Sequence, residues 1–425
     1  MAEAGEEMLR STAPIAPDAG GVDEVDPASF REGFGEDLHH VLDLHNWTAG
    51  TDLASLHDRA EAEVRAAIAQ ESAAARQIRR DIFPRIGDPE HGAPEGAGVY
   101  CAERAQLERI HTGLLFSGGV EACDGTYRAF DTIPLTLYQI GVSLASYRGD
   151  QGSWGHRLFR RDLRLTGGTL SGDIIELLSR RHQRGGLNQQ ATSDKLSELA
   201  QRGIMAYAER ALLLERSIAA WRMGHGNPAP YEILTGSGNM DLMVAGTTVI
   251  RRLVEEHQRF VFVASEPRER MLLTIGQALR PLEYAIVDTI RERVRSVTEE
   301  GHYRSHGAMA GEWDGKHLTP SQWIGRFLDE VTPKIVVGVY RAGRFAPPQV
   351  FYAHVDHAHM AAHIAIADSM LQEHRGFPLL IDLADSVCRR VFTADTLAAP
   401  VSAAQAGADG PYMAASERVG RYRAR

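Results

Sequence analysis

The chain has 425 residues, a formal net charge of −10, 44% hydrophobic residues and 24% charged residues, which is ordinary for a globular protein of one large domain or two. No apolar run approaches the roughly 20 residues that a membrane-spanning helix needs, and the acidic, Pro/Gly/Ala-rich beginning is not a signal or transit peptide. The three cysteines (Cys101, Cys123 and Cys388) are unclustered, which excludes a disulfide framework or a zinc ribbon and fits a reducing cytoplasm.

The first hundred residues predict a tail followed by helices. Residues 1–30 are expected to form a disordered acidic tail. Residues 31–100 predict a helical arm, since apolar residues recur at helical spacing between 36 and 82. The core of the protein is expected over 101–400, and 401–425 is expected to be a flexible basic tail.

A β-hairpin is predicted over 114–148. Asp124 lies in a strand-like run, Gly125 follows it, and a turn signal at 131–134 leads into a second run that is rich in β-branched and aromatic residues. Because glycine adds no side chain, a ligand or a metal ion has room to approach the backbone at Gly125. The alternative is an Asp-Gly turn between ordinary strands.

Residues 150–192 predict an inserted segment with a short helix at 173–182. Arginine-rich runs at 157–164 and 180–184 suit phosphate contact, since a guanidinium binds oxyanions through two N–H groups. The alternative is a set of solvated helix faces and ion pairs. The net charge does not decide between them, because nucleic-acid binding needs only a local basic surface.

Strand and helix patterns alternate through the rest of the chain. Helices are predicted at 193–222, 241–257, 281–298, 357–374 and 379–394, and strands at 231–234, 260–264, 334–340 and 349–354. Hairpin strands followed by this alternation indicate an α/β fold, with a mixed sheet flanked by helices.

A group of histidines offers a second kind of site. His354, Asp356, His357 and His359 are close in sequence, and His363 follows His359 by four residues, a spacing at which two helical histidines can share a zinc ion. The segment passes from a strand into a helix, which scatters these side chains over several faces. A histidine-based metalloprotein is therefore the weaker alternative.

The order of the motifs resembles the NurA family of DNA-end-processing nucleases, which have a ribonuclease-H-like core. The family pattern is an Asp-Gly-Ser strand, a helix with a glutamate, a second strand ending in Asp-Gly-Ser, and Gly-Tyr-Pro before a helix with Ala-His. The matching segments here are Asp124-Gly125-Thr126, Leu214-Glu215-Arg216, Leu234-Thr235-Gly236-Ser237 and Gly376-Phe377-Pro378 with Ala384-Asp385.

The resemblance implies a metal-dependent deoxyribonuclease with Mn²⁺ or Mg²⁺ as cofactor. Asp124 and Glu215 match the family's first aspartate and its glutamate, and Glu209 is a less favoured alternative because it is farther from the following strand. The family's histidine falls at Asp385, which supplies a third carboxylate. Two-metal hydrolysis needs several hard oxygen ligands, so Asp124, Glu215 and Asp385 are the expected catalytic and metal-binding residues.

Two further positions depart from the family pattern. The second aspartate falls at Thr235, whose hydroxyl can contact metal-bound water or phosphate, and the tyrosine falls at Phe377, whose ring can stack on a base or sugar. Thr235, Phe377 and Arg128 are the expected substrate-binding residues. The lost family groups keep a second possibility open, a catalytically silent subunit that binds DNA or supports an ATPase.

The same resemblance implies partners. The family works as a dimer docked on a hexameric HerA-type translocase, which feeds it duplex DNA. We therefore expect DNA, a HerA-type hexameric ATPase and a second copy of this chain as partners, in DNA repair or in anti-phage defence. The expected location is the cytoplasm, without membrane contact.

Overall fold

The structure, a computed structural model, describes residues 27–47, 54–131, 135–149, 152–160, 199–265, 270–299 and 310–408. The chain divides into two compact units, residues 1–67 with 165–194 and residues 68–164 with 195–425. Most of the expected acidic tail, the expected helix at 173–182, the basic run at 180–184 and the last part of the expected basic tail lie outside the described residues.

The described part of the first unit is helical. Helix α1 spans Pro27–Phe34, α2 spans Leu38–Leu42, and the first part of α3 (Ala54–Asp81) belongs here. Alanine, glutamate and arginine dominate α3, and these residues favour helix. Arg65 pairs with Glu61 one turn earlier, which adds a small stabilising contact. The helix expected in this part of the chain is confirmed.

Among the residues that the structure describes, nine strands of the second unit form one sheet, in the order β1-β7-β10-β11-β6-β5-β2-β3-β4. Their bounds are Gly98–Cys101 (β1), Val120–Asp131 (β2), Thr136–Ala145 (β3), Ser153–Arg160 (β4), Trp221–His225 (β5), Phe260–Ala264 (β6), Glu283–Thr289 (β7), Ile335–Tyr340 (β10) and Gln349–His354 (β11). Strands β8 (Gly311–Trp313) and β9 (Lys316–Leu318) pair only with each other in the described structure.

Three neighbouring strands inside the sheet run parallel. Strand β2 pairs with β5, and β5 pairs with β6, in the same direction. The register places Cys123 beside Gly224 and His225 beside Val263. The parallel pairing of β2 with β5 stops at Cys123 and Gly224, and that of β5 with β6 stops at His225 and Val263. The residues that follow these pairs therefore lie together at one edge of the parallel group, although β2 itself continues.

Helices cover both faces of the sheet. The helices of the second unit that follow α3 are α4 (Phe83–Ile86), α5 (Arg104–Ile110), α6 (Ile204–Arg216), α7 (Tyr231–Leu234), α8 (Met240–Arg252), α9 (Arg270–Gln277), α10 (Arg291–Glu299), α11 (Pro320–Glu330), α12 (Ala358–Ser369), α13 (Leu379–Val391) and α14 (Ala394–Gly407). One apolar core joins the sheet to α6, α8 and α11, and a second core joins it to α5, α12 and α13. The expected α/β fold with a mixed sheet flanked by helices is confirmed.

Strands that are covered on both faces read as continuous apolar runs in the sequence. Every residue of β6, β10 and β11 is buried. The strands expected at 260–264, 334–340 and 349–354 are therefore confirmed, because burial on both faces leaves a sequence signal that does not depend on alternation. In the described part of the chain, no helix combines the length and the apolar character needed to cross a lipid bilayer.

Two stretches differ from the expectation. The expected strand at 231–234 is the short helix α7, which begins directly after Pro230, and the strand that follows α6 is β5, partly inside the helix predicted at 193–222. Tertiary packing favours the strand conformation of β5, because Trp221 and Met223 are buried in the core under α12 and α13. Likewise, the helix expected at 281–298 is β7 followed by α10, because the first half of that stretch pairs with β1 and β10.

A buried carboxylate holds the start of α13 against the end of α12. Asp368 Oδ2 accepts a hydrogen bond from the backbone N–H of Leu380 at 2.9 Å, and the hydroxyl of Tyr147 donates to Asp368 Oδ1. Burial raises the pKa of Asp368 from 3.8 to about 6, against the opposing effects of both hydrogen bonds and of the charge of His111. This contact fixes where α13 begins and so where its side chains lie.

Candidate active site

A polar cluster lies where β5 and β6 end, beside the middle of β2. Asp124 is in β2, His225 is the last residue of β5, and Ser265 directly follows β6. Val120 and Ala122 lie in the core under α12 and α13, so by strand alternation Asp124 faces the same helix layer. Asp124 is buried, and the sheet positions it beside the ends of its two parallel neighbours.

A chain of hydrogen bonds joins the three side chains. His225 Nδ1 lies 3.1 Å from Asp124 Oδ1, and His225 Nε2 lies 2.8 Å from Ser265 Oγ. Burial alone would lower the pKa of His225, but the hydrogen bond and the charge of Asp124, with the charge of Glu209, outweigh burial and raise that pKa above its ordinary value. The acid at Asp124 therefore both orients the imidazole and favours its protonated form.

Glu209 of α6 occupies the space above Gly125. A Cβ atom at position 125 would lie 2.5 Å from Glu209 Oε1 and 3.0 Å from Met205 Cγ. The glycine therefore lets α6 approach the strand, as the absence of a side chain permits. The sequence suggested that this glycine leaves room for a ligand or metal ion, and in the structure a carboxylate of the protein itself takes that room.

Burial and neighbouring charges together shift the pKa of the Glu209 carboxyl group. Burial raises its pKa, the neighbouring charge of Asp124 raises it further, and the net shift is upward although Arg210 opposes it. Arg210 Nη1 lies 2.9 Å from Glu209 Oε2 and is itself buried. The backbone carbonyls of Pro228 and Ala206 accept from the same guanidinium at 2.9 and 2.8 Å, so Arg210 is fixed in place independently of Glu209.

Asp385 brings a third carboxylate from α13. Burial raises its pKa and the charge of Asp124 raises it further, while Arg389, 2.7 Å away one turn later, acts in the opposite direction. The net pKa of Asp385 is above its ordinary value, mainly because of burial, and the negative charge of Asp124 adds to the shift. A cation between the two carboxylates would oppose that shift.

Phe377 packs beside the histidine of the cluster. Its ring is 2% exposed and its centroid lies 5.9 Å from that of His225, edge to face. The guanidinium of Arg375 lies 5.4 Å from the centre of the same ring and pairs with Asp382 at 2.8 Å. In this conformation the Phe377 ring supports His225 rather than facing solvent, where a base would stack.

The structure does not bring Glu215 to this cluster. Glu215 is on the surface, with a side chain that is 53% exposed and pairs with Arg252 of α8. It follows Glu209 by six residues, which in a helix is about 9 Å along the axis and about 240° around it. Of the two glutamates of α6 considered from the sequence, Glu209 is the one beside Asp124.

The other two expected substrate-binding residues lie apart from the cluster. Thr235 follows α7, where its hydroxyl donates to the carbonyl of Tyr231 at 2.8 Å and accepts from the N–H of Ser237 at 3.3 Å, so it serves as a turn cap. Arg128 is exposed in β2, paired in register with Gln139 of β3. It is four residues beyond Asp124 on the same strand face, about 13 Å away.

The donor types of the cluster suit a hard divalent cation. Three carboxylates and an imidazole are ligands that Mn²⁺ accepts, and Mg²⁺ favours the carboxylates. Each acid already has a cationic partner, namely His225, Arg210 or Arg389. Within the described residues, no three His, Cys, Asp or Glu side chains are arranged to hold a metal ion. Glu209 and Asp385 would have to turn from their arginines toward Asp124 to bind one.

The histidines of the second candidate site are spread over separate contacts. His354 Nδ1 accepts from the backbone N–H of Asp356 at 3.2 Å, and His359 Nδ1 lies 2.9 Å from the hydroxyl of Tyr284. Burial lowers the pKa of His363, as it does for His354 and His359. These contacts are those of histidines packed in a core and at a helix start, as strand-to-helix scattering predicts.

The sequence did not single out His225, and the motif assignment favoured Glu215 over Glu209. The available signal for His225 was the short run Trp221-Arg222-Met223-Gly224 before His225-Gly226, in which a polar residue and a glycine end an apolar strand, as at Asp124-Gly125. The motif resemblance placed Thr235 at the end of the strand that follows α6. In the structure that strand is β5, and its last residue is His225.

No protein-family model matches the sequence, and no curated protein matches it. Among solved structures, the NurA nuclease from Sulfolobus solfataricus is similar with a TM-score of 0.42 and 8% identity, covering 77% of this chain and 98% of that chain. A NurA structure with manganese has a TM-score of 0.32 and 9% identity, over 67% and 92% of the two chains. Endonuclease V of Ciona intestinalis bound to DNA is similar with a TM-score of 0.25 and 12% identity, covering 67% of this chain and 94% of that chain. These TM-scores are low, so the fold class rests on the strand order and the two helix layers.

Proposed function

We propose that the chain is a metal-dependent deoxyribonuclease with its active site at Asp124. The observation that supports this most directly is the convergence of Glu209 and Asp385 on Asp124 from opposite helix layers, with the charge of Asp124 raising the pKa of both. Carboxylates that raise one another's pKa beside the ends of parallel strands are suited to a divalent cation, which reduces their repulsion.

In this proposal Asp124, Glu209 and Asp385 hold Mn²⁺ or Mg²⁺, with His225 as a fourth donor or a proton carrier. The bound ion supplies an activated water and stabilises charge on the leaving oxygen of a phosphodiester. Asp385 would hold the ion in place of Arg389, and the guanidinium of Arg389 would then be available to contact a DNA phosphate. Phe377 keeps the ring of His225 in position.

The proposed partners follow from the sequence resemblance to the NurA family. They are duplex DNA, a HerA-type hexameric ATPase that delivers it, and a second copy of the chain. A protein with a net charge of −10 needs less basic surface of its own when a translocase brings the DNA. Repair of DNA ends and anti-phage defence are both consistent with this pair of activities. Co-purification with a HerA-type ATPase, followed by a mass measurement of the complex, tests the partner.

The nuclease is tested with end-labelled duplex DNA and Mn²⁺, with and without the ATPase. Cleavage should be lost in Asp124→Asn and in Asp385→Asn, while each variant keeps its melting temperature to within a few degrees. An Asp382→Asn variant is the matched control on α13, because Asp382 pairs with Arg375 rather than with the cluster. Full cleavage by Asp124→Asn would rule out this site.

A catalytically silent subunit that binds DNA or supports the ATPase is the second candidate. It is favoured by the pairing of every acid of the cluster with a cationic side chain, which leaves the site electrostatically balanced without an ion. The two candidates differ in Mn²⁺ affinity. Calorimetric titration with Mn²⁺ should give binding that is lost in Asp124→Asn for the nuclease, and DNA binding without Mn²⁺ binding for the silent subunit.

A further inference from the structure

Asp124, His225 and Ser265 form an acid–imidazole–hydroxyl relay. Asp124 lies within β2, His225 is the last residue of β5, and Ser265 directly follows β6, the three strands of the parallel group. The two contacts, 3.1 Å from Asp124 Oδ1 to His225 Nδ1 and 2.8 Å from His225 Nε2 to Ser265 Oγ, join the carboxylate and the hydroxyl to opposite nitrogens of one ring. Ser265 is exposed, so its hydroxyl is accessible to a substrate. This is the order of groups by which hydrolases activate a serine nucleophile.

We propose that this relay gives the chain a second activity, the hydrolysis of uncharged acyl esters without a divalent cation. Ser265 is the nucleophile, His225 in its neutral form is the base that takes its proton, and Asp124 is the positioning residue that holds the imidazole. Because Asp124 raises the pKa of His225, the activity should increase as the pH rises through that pKa. This inference stands on the relay alone and does not rest on the proposed nuclease.

The reaction balances with water as the only co-substrate. Ser265 Oγ forms a bond to the ester carbonyl carbon while its proton passes to His225 Nε2. The tetrahedral intermediate then breaks the ester C–O bond, and the alcohol leaves with the proton from His225. Water repeats the sequence on the acyl-serine, with its proton passing to His225, and the bond between Oγ and the acyl carbon breaks. Ser265 regains its proton and the carboxylic acid is released.

The charges around the relay select an uncharged substrate. Glu209 lies against Gly125 beside Asp124, so this corner carries carboxylate groups of its own that disfavour a further anion. A phosphodiester without a cation brings a negative charge into that field, whereas a carboxylic ester does not.

The test uses the full-length protein in EDTA with a fluorophosphonate probe, which transfers its phosphonyl group to an activated serine and releases fluoride. Intact-mass and peptide analysis should find one adduct, on Ser265. The labelling rate should fall at least tenfold in Ser265→Ala and in His225→Gln. A matched control is Ser117→Ala, because Ser117 is also exposed and its hydroxyl donates to the backbone carbonyls of Gly113 and Leu114.

Absence of an adduct on Ser265 in the folded wild-type protein would overturn the proposal. Labelling of His225→Gln at the wild-type rate would overturn it as well, since the imidazole would then not activate the hydroxyl. Turnover of p-nitrophenyl acetate in EDTA, lost in Ser265→Ala, should accompany the label. Because both readouts exclude divalent cations and DNA, their failure is independent of Mn²⁺-dependent DNA cleavage.

Discussion

Replacing Glu209 or Glu215 by glutamine separates two positions on the same helix. Each substitution keeps the side-chain size and removes one negative charge, but Glu209 lies against Gly125 beside Asp124, while Glu215 pairs with Arg252 at the surface. We expect Glu209→Gln to lower Mn²⁺-dependent cleavage by about 10²–10³-fold, or roughly 3–4 kcal/mol, as for other preorganised groups at a reacting centre. Glu215→Gln should leave cleavage within about twofold and cost at most about 1 kcal/mol of stability, since exposed ion pairs contribute little.

The stability of Glu209→Gln separates loss of chemistry from loss of fold. A carboxyl pKa that is raised in the folded state means that folding disfavours the ionised form, so the charge of Glu209 costs stability at neutral pH. Glutamine removes that cost, and Arg210 keeps its hydrogen bonds to the carbonyls of Pro228 and Ala206. The melting temperature of Glu209→Gln should therefore equal or exceed that of the wild type.

The assay compares initial rates of cleavage of end-labelled duplex DNA over a range of Mn²⁺ concentrations, with DNA affinity measured separately by fluorescence anisotropy. A lost ion ligand should appear as a higher Mn²⁺ requirement together with a lower maximal rate. If Glu215→Gln abolished cleavage while Glu209→Gln kept it, the assignment of Glu209 to the active site would be refuted.

Three further substitutions test packing and charge around the cluster. Gly125→Ala should cost about 1–3 kcal/mol of folding free energy in urea denaturation and slow cleavage, since the new Cβ would lie 2.5 Å from Glu209 Oε1; an unchanged rate would contradict the close approach. The pKa of Asp368 is raised from 3.8 to about 6, which means that the folded state binds its proton more tightly than the unfolded state does. The contribution of this group to the free energy of unfolding is therefore largest below about pH 4, and it falls by roughly 3 kcal/mol as the pH rises through about 6. Asp368→Asn keeps an acceptor and should remove that slope in denaturation series from pH 4 to 7, whereas a slope equal to that of the wild type would contradict the assignment. Phe377→Ala should cost about 3–5 kcal/mol because the ring is buried, while Phe345→Ala, at an exposed ring, should stay within about 0.5 kcal/mol in the same measurement.

Sequence alone predicted those strands of the sheet whose burial on both faces makes them rich in apolar residues. Strands β10 and β11 are continuous apolar runs because helices or strands cover every side of them. Strand β5 has five residues, one of them an arginine and one a glycine, and it is a strand because β2 and β6 pair with it on both sides. The conformation of β5 depends on pairing with its neighbouring strands, so the sequence of β5 alone does not predict it. Because β5 was not predicted, His225 at its end was not recognised either.

The choice between Glu209 and Glu215 depended on the rotational position of α6, which the motif pattern does not contain. Met205 and Glu209 are four residues apart and both face Gly125, so they belong to one stripe of the helix. Glu215 falls outside that stripe, since positions 212, 213 and 216 are those that continue it. A glycine in the facing strand selects the stripe, because it is the place where the helix can come closest.

Consecutive residues of a strand point to opposite faces of the sheet, and this explains how three acids from separate elements meet. Asp124 faces the helix layer that contains α13, the helix of Asp385. Gly125 faces the layer of α6, and its lack of a side chain leaves room for Glu209. In the middle of a strand the sheet itself would separate two such layers. At the carboxyl ends of β5 and β6 the neighbouring strands stop at His225 and Ala264, so side chains from both layers come within electrostatic range around the edge. The site therefore depends on where the parallel strands end as much as on the acids themselves, and lengthening β5 beyond His225 should separate the two layers even with every acid retained.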